Sequence, residues 1–241
     1  MVIRLFSRYA MDSNKIIVIP TYNESKSILA LLNEILSLYR DVDVVVVDDN
    51  SPDKTGDIVD ELAVTNTRVK CLHRGKKEGI GPAYLAGFRY AVSRKYEYIV
   101  QMDADFSHHP SYIRSLIDLA KDSDCVIGSR YVKGGGTQRW GILRRLISRL
   151  GSFYARAVSR VPVHDFTSGF KCFRGDVLEQ IKFETITSKG YAFNIETTVR
   201  LHRSGFKIKE LPIIFRERSS GRSKMSIAIF FEAIIKVWDF N

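Results

Sequence analysis

"VDVVVVDD", residues 42–49, decides the fold. Four valines in a row, closed by two carboxylates, do not fit a strand with one wet face, which would alternate apolar and polar. They fit a strand buried on both faces, as in a parallel sheet covered by helices. Four more runs have the same texture: "KIIVIP" (15–20), "RVKCL" (68–72), "EYIVQMD" (97–103) and "CVIGSR" (125–130). Between them lie stretches of helical periodicity. Over 25–39, apolar residues fall at Ile28, Leu31, Leu32, Ile35, Leu36 and Leu38, mostly at helical spacing. Similar patterns fill 55–64, 80–95 and 110–121, and Pro110 suits the first turn of the last of these. Strand–helix alternation of this kind predicts an α/β fold with a mostly parallel central sheet.

In such sheets ligands bind beyond the carboxyl ends of the strands. The polar clusters sit there: "PTYNES", "DDNSPD", "HRGKKEGIG", "DADFSHH" and "RYVKGGG", each following one strand. Any one of them reads as a solvated loop. Five in sequence on one rim predict a binding site.

From residue 137 the texture changes. A long helix is expected over 142–161, with Leu143, Leu146, Ile147, Leu150, Tyr154, Ala157, Val158 and Val161 on one face and Arg145, Arg149, Arg156 and Arg160 opposite. It reads either as a helix with a solvated basic face or as one that lies on an anionic membrane. The segment 226–241 is amphipathic, with Trp238 placed for packing on the domain or for a membrane interface, and residues 1–14 read as a flexible or surface lead-in.

The chain has 241 residues, 45% hydrophobic and 27% charged, enough for a substantial core and typical of a globular protein. Lys and Arg number 37 against 27 Asp and Glu, a formal charge of +10, which points to an anionic partner: nucleic acid, an acidic membrane surface or phosphorylated molecules. The three cysteines, Cys71, Cys125 and Cys172, are widely spaced and form no CxxC. They argue against a disulfide framework or a cysteine zinc site. No run of about 18 apolar residues suggests a transmembrane helix.

Asp103 and Asp105 lie at alternate positions around a strand end. Two carboxylates there suit Mg²⁺ or Mn²⁺ shared with substrate phosphates, although "DAD" alone also fits a capped strand end. His108 and His109 match no common zinc spacing and are expected to shape the loop. "PTYNE" offers an aromatic and a carboxylate for a base and ribose, and Asp48 and Asp49 offer acceptors. "GKKEGIGPA" is neither a dinucleotide fingerprint nor a Walker loop. That argues against a dehydrogenase and against a P-loop NTPase. No nucleic-acid-binding motif accompanies the basic charge, so no nucleic-acid partner is expected.

The ordered set "IIVIPTYNES", "VVVVDDNSPDKT", "GKKEGIGPAYLAGF", "MDADFSHHP", "GSRYVKGGGT", "DFTSGFKCF", "KGYAFNIE" and "GRSKM" resembles the family 2 glycosyltransferases of GT-A fold, over roughly residues 15–225. Within that family it is most similar to the dolichyl-phosphate mannose synthases. The resemblance implies inverting transfer of mannose from GDP-mannose to dolichyl or another polyprenyl phosphate, with Mg²⁺ or Mn²⁺. It implies a Rossmann-like catalytic domain over 15–225. It also implies that Pro20, Tyr22, Glu24, Val47 and Asp49 hold the nucleoside, and that Asp103 and Asp105 hold the metal and diphosphate with Ala104 against the donor. Lys189, Arg218 and Lys224 are implied at the donor diphosphate, and Arg130, Arg144 and Ser148 at the lipid phosphate. Asp105, Arg130 and Arg144 are the implied catalytic set. Some members carry a Gln two residues after the second Asp, where this chain has Ser107. The expected setting is peripheral, on the cytoplasmic face of a membrane (endoplasmic reticulum in a eukaryote, plasma membrane in a prokaryote), possible anchoring subunits included. Two alternatives stand beside it: a polyprenyl-phosphate glucosyltransferase using UDP-glucose, and a non-catalytic nucleotide-binding subunit that docks on membranes.

Overall fold

The computed structural model describes residues 13–188, 190 and 192–217. Lys189, Arg218, Lys224, residues 1–12 of the expected 1–14 lead-in and the expected segment 226–241 lie outside the described residues.

The apolar runs become strands β1 (Lys15–Thr21), β2 (Asp43–Asp48), β3 (Val69–His73), β4 (Tyr98–Gln101) and β5 (Cys125–Ser129), joined by helices α1 (Ile28–Leu38), α2 (Thr55–Thr65), α3 (Ile80–Ser93) and α4 (Ile113–Ala120). Beyond β5 come β6 (Gly136–Gln138), α5 (Ile142–Ser159), β7 (Lys171–Arg174), α6 (Gly175–Gln180), α7 (Ala192–Arg203), β8 (Ile208–Pro212) and β9 (Ile214–Arg216). The main sheet has seven strands in the order β3-β2-β1-β4-β7-β5-β8. All neighbours are parallel except β7, which runs antiparallel to both β4 and β5. β6 and β9 form a separate two-stranded parallel ribbon.

The valine run shows why the sheet needs two covered faces. Val44 and Val46 enter one core with residues of α1, α2 and α4, whereas Val45 and Val47 enter the other with residues of α3, α6 and α7. A strand that alternates its side chains between two cores has no polar position to offer. α3 lies so close to the sheet that a Cβ on Gly87 would stand 2.2 Å from Val18 Cγ1.

The strand order sets the site. The chain winds outward from β1 through β2 to β3, then returns to the other side of β1 to lay down β4. The order reverses between β1 and β4, so a crevice opens beyond their carboxyl ends. Thr21 and Asp103 flank it.

α5 departs from expectation. Only the C-terminal part of its expected stripe packs on the domain: Val161 is buried and Tyr154 and Val158 lie against the core, whereas Leu143 is 70% exposed and Leu146 and Leu150 are exposed as well, with Ile142 (84%) and Phe153 (69%) beside them. The buried line is Ser148, Ser152, Ala155 and Ser159. Small side chains let the helix axis approach the domain closely, and the bulky apolar residues are left facing outward beside Arg145 and Arg149. No helix among the described residues is long and apolar enough to cross a membrane.

Candidate active site

The first two strand ends are tied together before any ligand arrives. Asp48 is buried, and its Oδ1 accepts hydrogen bonds from Thr21 Oγ1 (2.8 Å) and Ser51 Oγ (2.6 Å). Asp48 thus serves the loops rather than a ligand. Asp49, its buried neighbour, meets Arg74 Nη1 at 2.6 Å. Burial pushes the Asp49 carboxyl up, against the opposing pull of Arg74. Tyr22 lies half-buried with Lys77 Nζ 4.0 Å above its ring. Pro20 and Glu24 are half-buried on the same rim. Val47, expected at the nucleoside, has its side chain fully buried in the core, so any contact there falls to its backbone.

Beyond β4, Asp103 and Asp105 bracket Ala104, which is buried against the core. Tyr84 of α3 donates its hydroxyl to Asp103 Oδ1 at 2.9 Å. Asp105 is buried, and its Oδ1 accepts from the Ser107 N–H at 3.0 Å. Phe106, between them in sequence, has φ +61°, a left-handed conformation that a bulky residue adopts only at a cost. The loop is held from behind by His108. That ring is fully buried, stacks on Phe170 at 4.9 Å, and accepts from the Asp103 N–H at Nδ1 (3.3 Å). Burial lowers its pKa, so it sits there as a neutral acceptor. His109 caps the 3-10 turn at 110–112 by accepting from the Ser111 N–H. Both histidines shape the loop, as expected.

A second cluster of candidate residues adjoins this loop through Phe215, whose ring meets those of His108 at 5.3 Å and Trp140 at 5.1 Å. Arg130 follows β5 and is buried; Asp165 takes its Nε at 2.7 Å and its Nη2 at 2.6 Å, and Thr167 accepts from Nη2 at 2.7 Å. Rings of Tyr131, Trp140 and Phe215 lie 5.1–5.4 Å from the guanidinium. Arg144 of α5 stacks over Trp140 at 4.3 Å and pairs with the exposed Glu217 at 3.2 Å. Ser148, one turn along, accepts from the Tyr131 hydroxyl at 2.7 Å. Arg130, Arg144 and Ser148 therefore share one aromatic-walled cluster. Within it Trp140 Nε1 and Arg144 Nε are buried donors with no acceptor among the described residues.

The family model for glycosyl transferase family 2 matches residues 16–182. An undecaprenyl-phosphate mannosyltransferase of Micrococcus luteus is 44% identical over 220 residues, covering 91% of this chain and 90% of the relative. A polyprenol monophosphomannose synthase of Mycolicibacterium smegmatis is 42% identical over 228 residues, covering 94% and 86%. The chain belongs to glycosyl transferase family 2.

Solved structures extend the likeness at the level of fold. A glucosyl-3-phosphoglycerate synthase of Mycobacterium tuberculosis, solved with Mn²⁺, UDP and glucosyl-3-phosphoglycerate, superposes with TM-score 0.66 at 17% identity, over 94% of this chain and 78% of that one. A mannosyltransferase of Pyrobaculum calidifontis, solved with GDP-Man and Mn²⁺, gives TM-score 0.59 at 19% identity, over 87% of this chain and 58% of that one. The fold of this glycosyltransferase is GT-A.

The residues of its acidic loop fit a hard divalent cation. Asp103 and Asp105 offer carboxylate oxygens, and Ser107 Oγ is buried with no hydrogen-bond partner among the described residues. An orphaned hydroxyl beside two carboxylates is an oxygen donor set suited to Mg²⁺ or Mn²⁺. Four residues of the candidate site were not singled out in the sequence: Arg74, Lys77, Tyr84 and Trp140. Lys77 and Tyr84 stand inside "GKKEGIGPAYLAGF", but nothing linear pairs Arg74 with Asp49, Lys77 with Tyr22 or Tyr84 with Asp103.

Proposed function

We propose that this family 2 glycosyltransferase moves mannose from GDP-mannose to the phosphate of a polyprenol such as dolichol, with inversion, at a membrane surface. The observation that carries it is the adjacency, through the rings of His108 and Phe215, of the Asp103–Asp105 loop and a cationic aromatic cluster that holds two unanswered donors. The names of the two relatives above 40% identity support the acceptor and the sugar.

Asp103 and Asp105, with the Ser107 hydroxyl, would hold the cation, which would supply stabilisation of the charge on a departing diphosphate. Tyr22, Asp49 and the residues around them bind and orient the nucleoside, Lys77 and Arg74 lending positive charge near it. The acceptor phosphate needs little activation. Its second pKa is about 6, so at neutral pH it is mostly a dianion. The chain's task is to bring one anion beside another. Asp165 fixes the plane of Arg130, so that the guanidinium is oriented before substrate binds. Arg144 supplies the exchangeable charge: its partner Glu217 is exposed and its ion pair correspondingly weak, so a phosphate competes well for it. Trp140 Nε1–H and Arg144 Nε–H supply two further donors. Lys189, Arg218 and Lys224 belong to the donor side by resemblance.

The polyprenol tail accounts for α5. Leu143, Leu146, Leu150 and Phe153 form an exposed apolar stripe flanked by arginines, on the same helix that carries Arg144 and Ser148. A helix of this kind lies in an anionic headgroup layer and brings the phosphate site to the lipid. The setting is peripheral, at a cytoplasmic membrane face, with anchoring subunits as optional partners.

The test is a transfer assay with detergent-dispersed polyprenyl phosphate, Mg²⁺ or Mn²⁺, and labelled GDP-mannose or UDP-glucose in parallel. Label entering the organic phase only from GDP-mannose, only with metal, and not with Asp105→Asn, is the expected result. Label only from UDP-glucose moves the donor assignment. No label from either, under conditions where GDP binds, overturns the acceptor.

A further inference from the structure

Tyr84 is absent from the chemistry so far, and its surroundings are unusual. It is fully buried on α3, at the crevice end of the helix, with Phe88 and Phe193 stacked at 5.9 and 5.8 Å. Its hydroxyl stands at the centre of a polar chain inside the apolar core. The phenol donates to Asp103 Oδ1 at 2.9 Å, and the side chain of Gln101 interacts with it electrostatically. Gln101 Nε2 also donates to Asn194 Oδ1 at 2.8 Å. The Asn194 carbonyl accepts from the buried Lys171 Nζ at 2.8 Å. Four elements meet in this chain: α3, β4, β7 and the first turn of α7.

A buried polar chain of this sort has a cost unless each member has its partner. A packed core gains nothing from a tyrosine here, since phenylalanine would fill the same space between Phe88 and Phe193. The hydroxyl is explained by the carboxylate that it reaches. A phenol is a donor at neutral pH, and this one is fully buried with its hydroxyl on that carboxylate. A donor fixed on Oδ1 fixes the rotation of the Asp103 carboxylate, which is otherwise only partly buried. Groups that orient a metal ligand in this way set metal affinity through geometry rather than contact.

The ring of the same tyrosine lies nearly parallel to that of Phe193 in the first turn of α7, at 9°. At the start of α3, a Cβ on Gly81 would come within 2.3 Å of the Ser188 carbonyl, so α3 stands in direct contact with the backbone of Ser188.

We propose that Tyr84 is a positioning residue for the cation site: its hydroxyl orients Asp103 while its ring, stacked on Phe193, is seated against the first turn of α7. The proposal rests on the assignment of Asp103 and Asp105 to a divalent cation.

The test is Mn²⁺ binding to the full chain without sugar nucleotide, read from the free-ion paramagnetic resonance signal. The variants are Tyr84→Phe, Asp105→Asn and Tyr96→Phe. Tyr96 is the control, because it too is a buried tyrosine bonded to a carboxylate, Asp43 at 2.6 Å, but at the opposite end of the sheet. The expected result is a rise in Mn²⁺ Kd of about 10- to 100-fold for Tyr84→Phe, none for Tyr96→Phe, and loss of binding for Asp105→Asn. In the transfer assay, Tyr84→Phe should raise the metal concentration for half-maximal rate while leaving the rate at saturating metal nearly intact. A Tyr84→Phe Kd within twofold of wild type, or one matched by Tyr96→Phe, overturns the positioning role and leaves the cation site standing. Wild-type affinity in Asp105→Asn overturns both.

Discussion

At the scale of single residues, Arg130 and Asp165 show how much a site depends on one carboxylate. Asp165 is fully buried and takes the Arg130 N–H as well as two guanidinium nitrogens. It is itself held by Glu210, which accepts from the Asp165 N–H at 3.1 Å. Removing one partner of a buried pair leaves an uncompensated charge, which costs about 3–5 kcal/mol. Asp165→Ala should lower the unfolding free energy by that amount in urea titration. Lys121→Ala, which breaks an exposed pair with Asp118, should change it by less than about 0.5 kcal/mol. Equal effects would mean that the Arg130 pair is solvated and not part of a preorganised site. The pairing was illegible beforehand because 35 residues separate the partners and "DFTSGF" gives no sign of which cation its aspartate meets.

At the scale of elements, α5 is the informative case. Periodicity correctly placed a helix near 142–161 and correctly sorted its apolar and basic residues. It did not say which side faces the domain. The decisive residues are Ser148, Ser152, Ala155 and Ser159, whose small size allows close approach, and small residues carry almost no weight in a hydrophobic pattern. Replacing Leu146 and Leu150 together by Ser should therefore cut co-sedimentation with anionic vesicles several-fold. The same change should leave stability within about 0.5 kcal/mol, as for exposed positions elsewhere. A marked fall in melting temperature with unchanged vesicle binding would place the stripe against protein instead.

At the scale of the whole molecule, the paired cores bury groups that resist high pH. Burial pushes the thiols of Cys71 and Cys125 up to about 12 and that of Cys172 well above its ordinary range. In the unfolded chain a thiol titrates near about 8.5. The folded state therefore binds more protons above that pH, and the stability these groups contribute is present below about 8.5 and lost as pH rises further. Lys171 acts in the opposite sense. Burial lowers it to about 8 against about 10.4 when unfolded, so the cost of its buried charge is relieved across that interval. Three thiols outweigh one amine, and the urea midpoint should fall between pH 8.5 and 10.5. Lys171→Met removes the opposing group and should steepen the fall. A midpoint that is flat in wild type would show that the core admits solvent around these groups.

The sequence by itself determined the layers and the rim. A valine run without polar positions requires two covered faces, and five polar strand ends in succession require a common edge, so the α/β sheet and the placement of Asp103, Asp105 and Arg130 were legible from local chemistry. The ordered motifs were enough for family membership. Tertiary structure alone decided which partners those residues keep. Asp48 was committed to Thr21 and Ser51, Val47 was turned into the core, Asp103 was given Tyr84, and α5 was rotated so that its leucines face outward. The physical reason is the same in each case. Periodicity and strand ends are properties of neighbouring residues, whereas a hydrogen bond between β4 and α3, or the side on which a helix packs, depends on elements that meet only when the sheet reverses its order at β1.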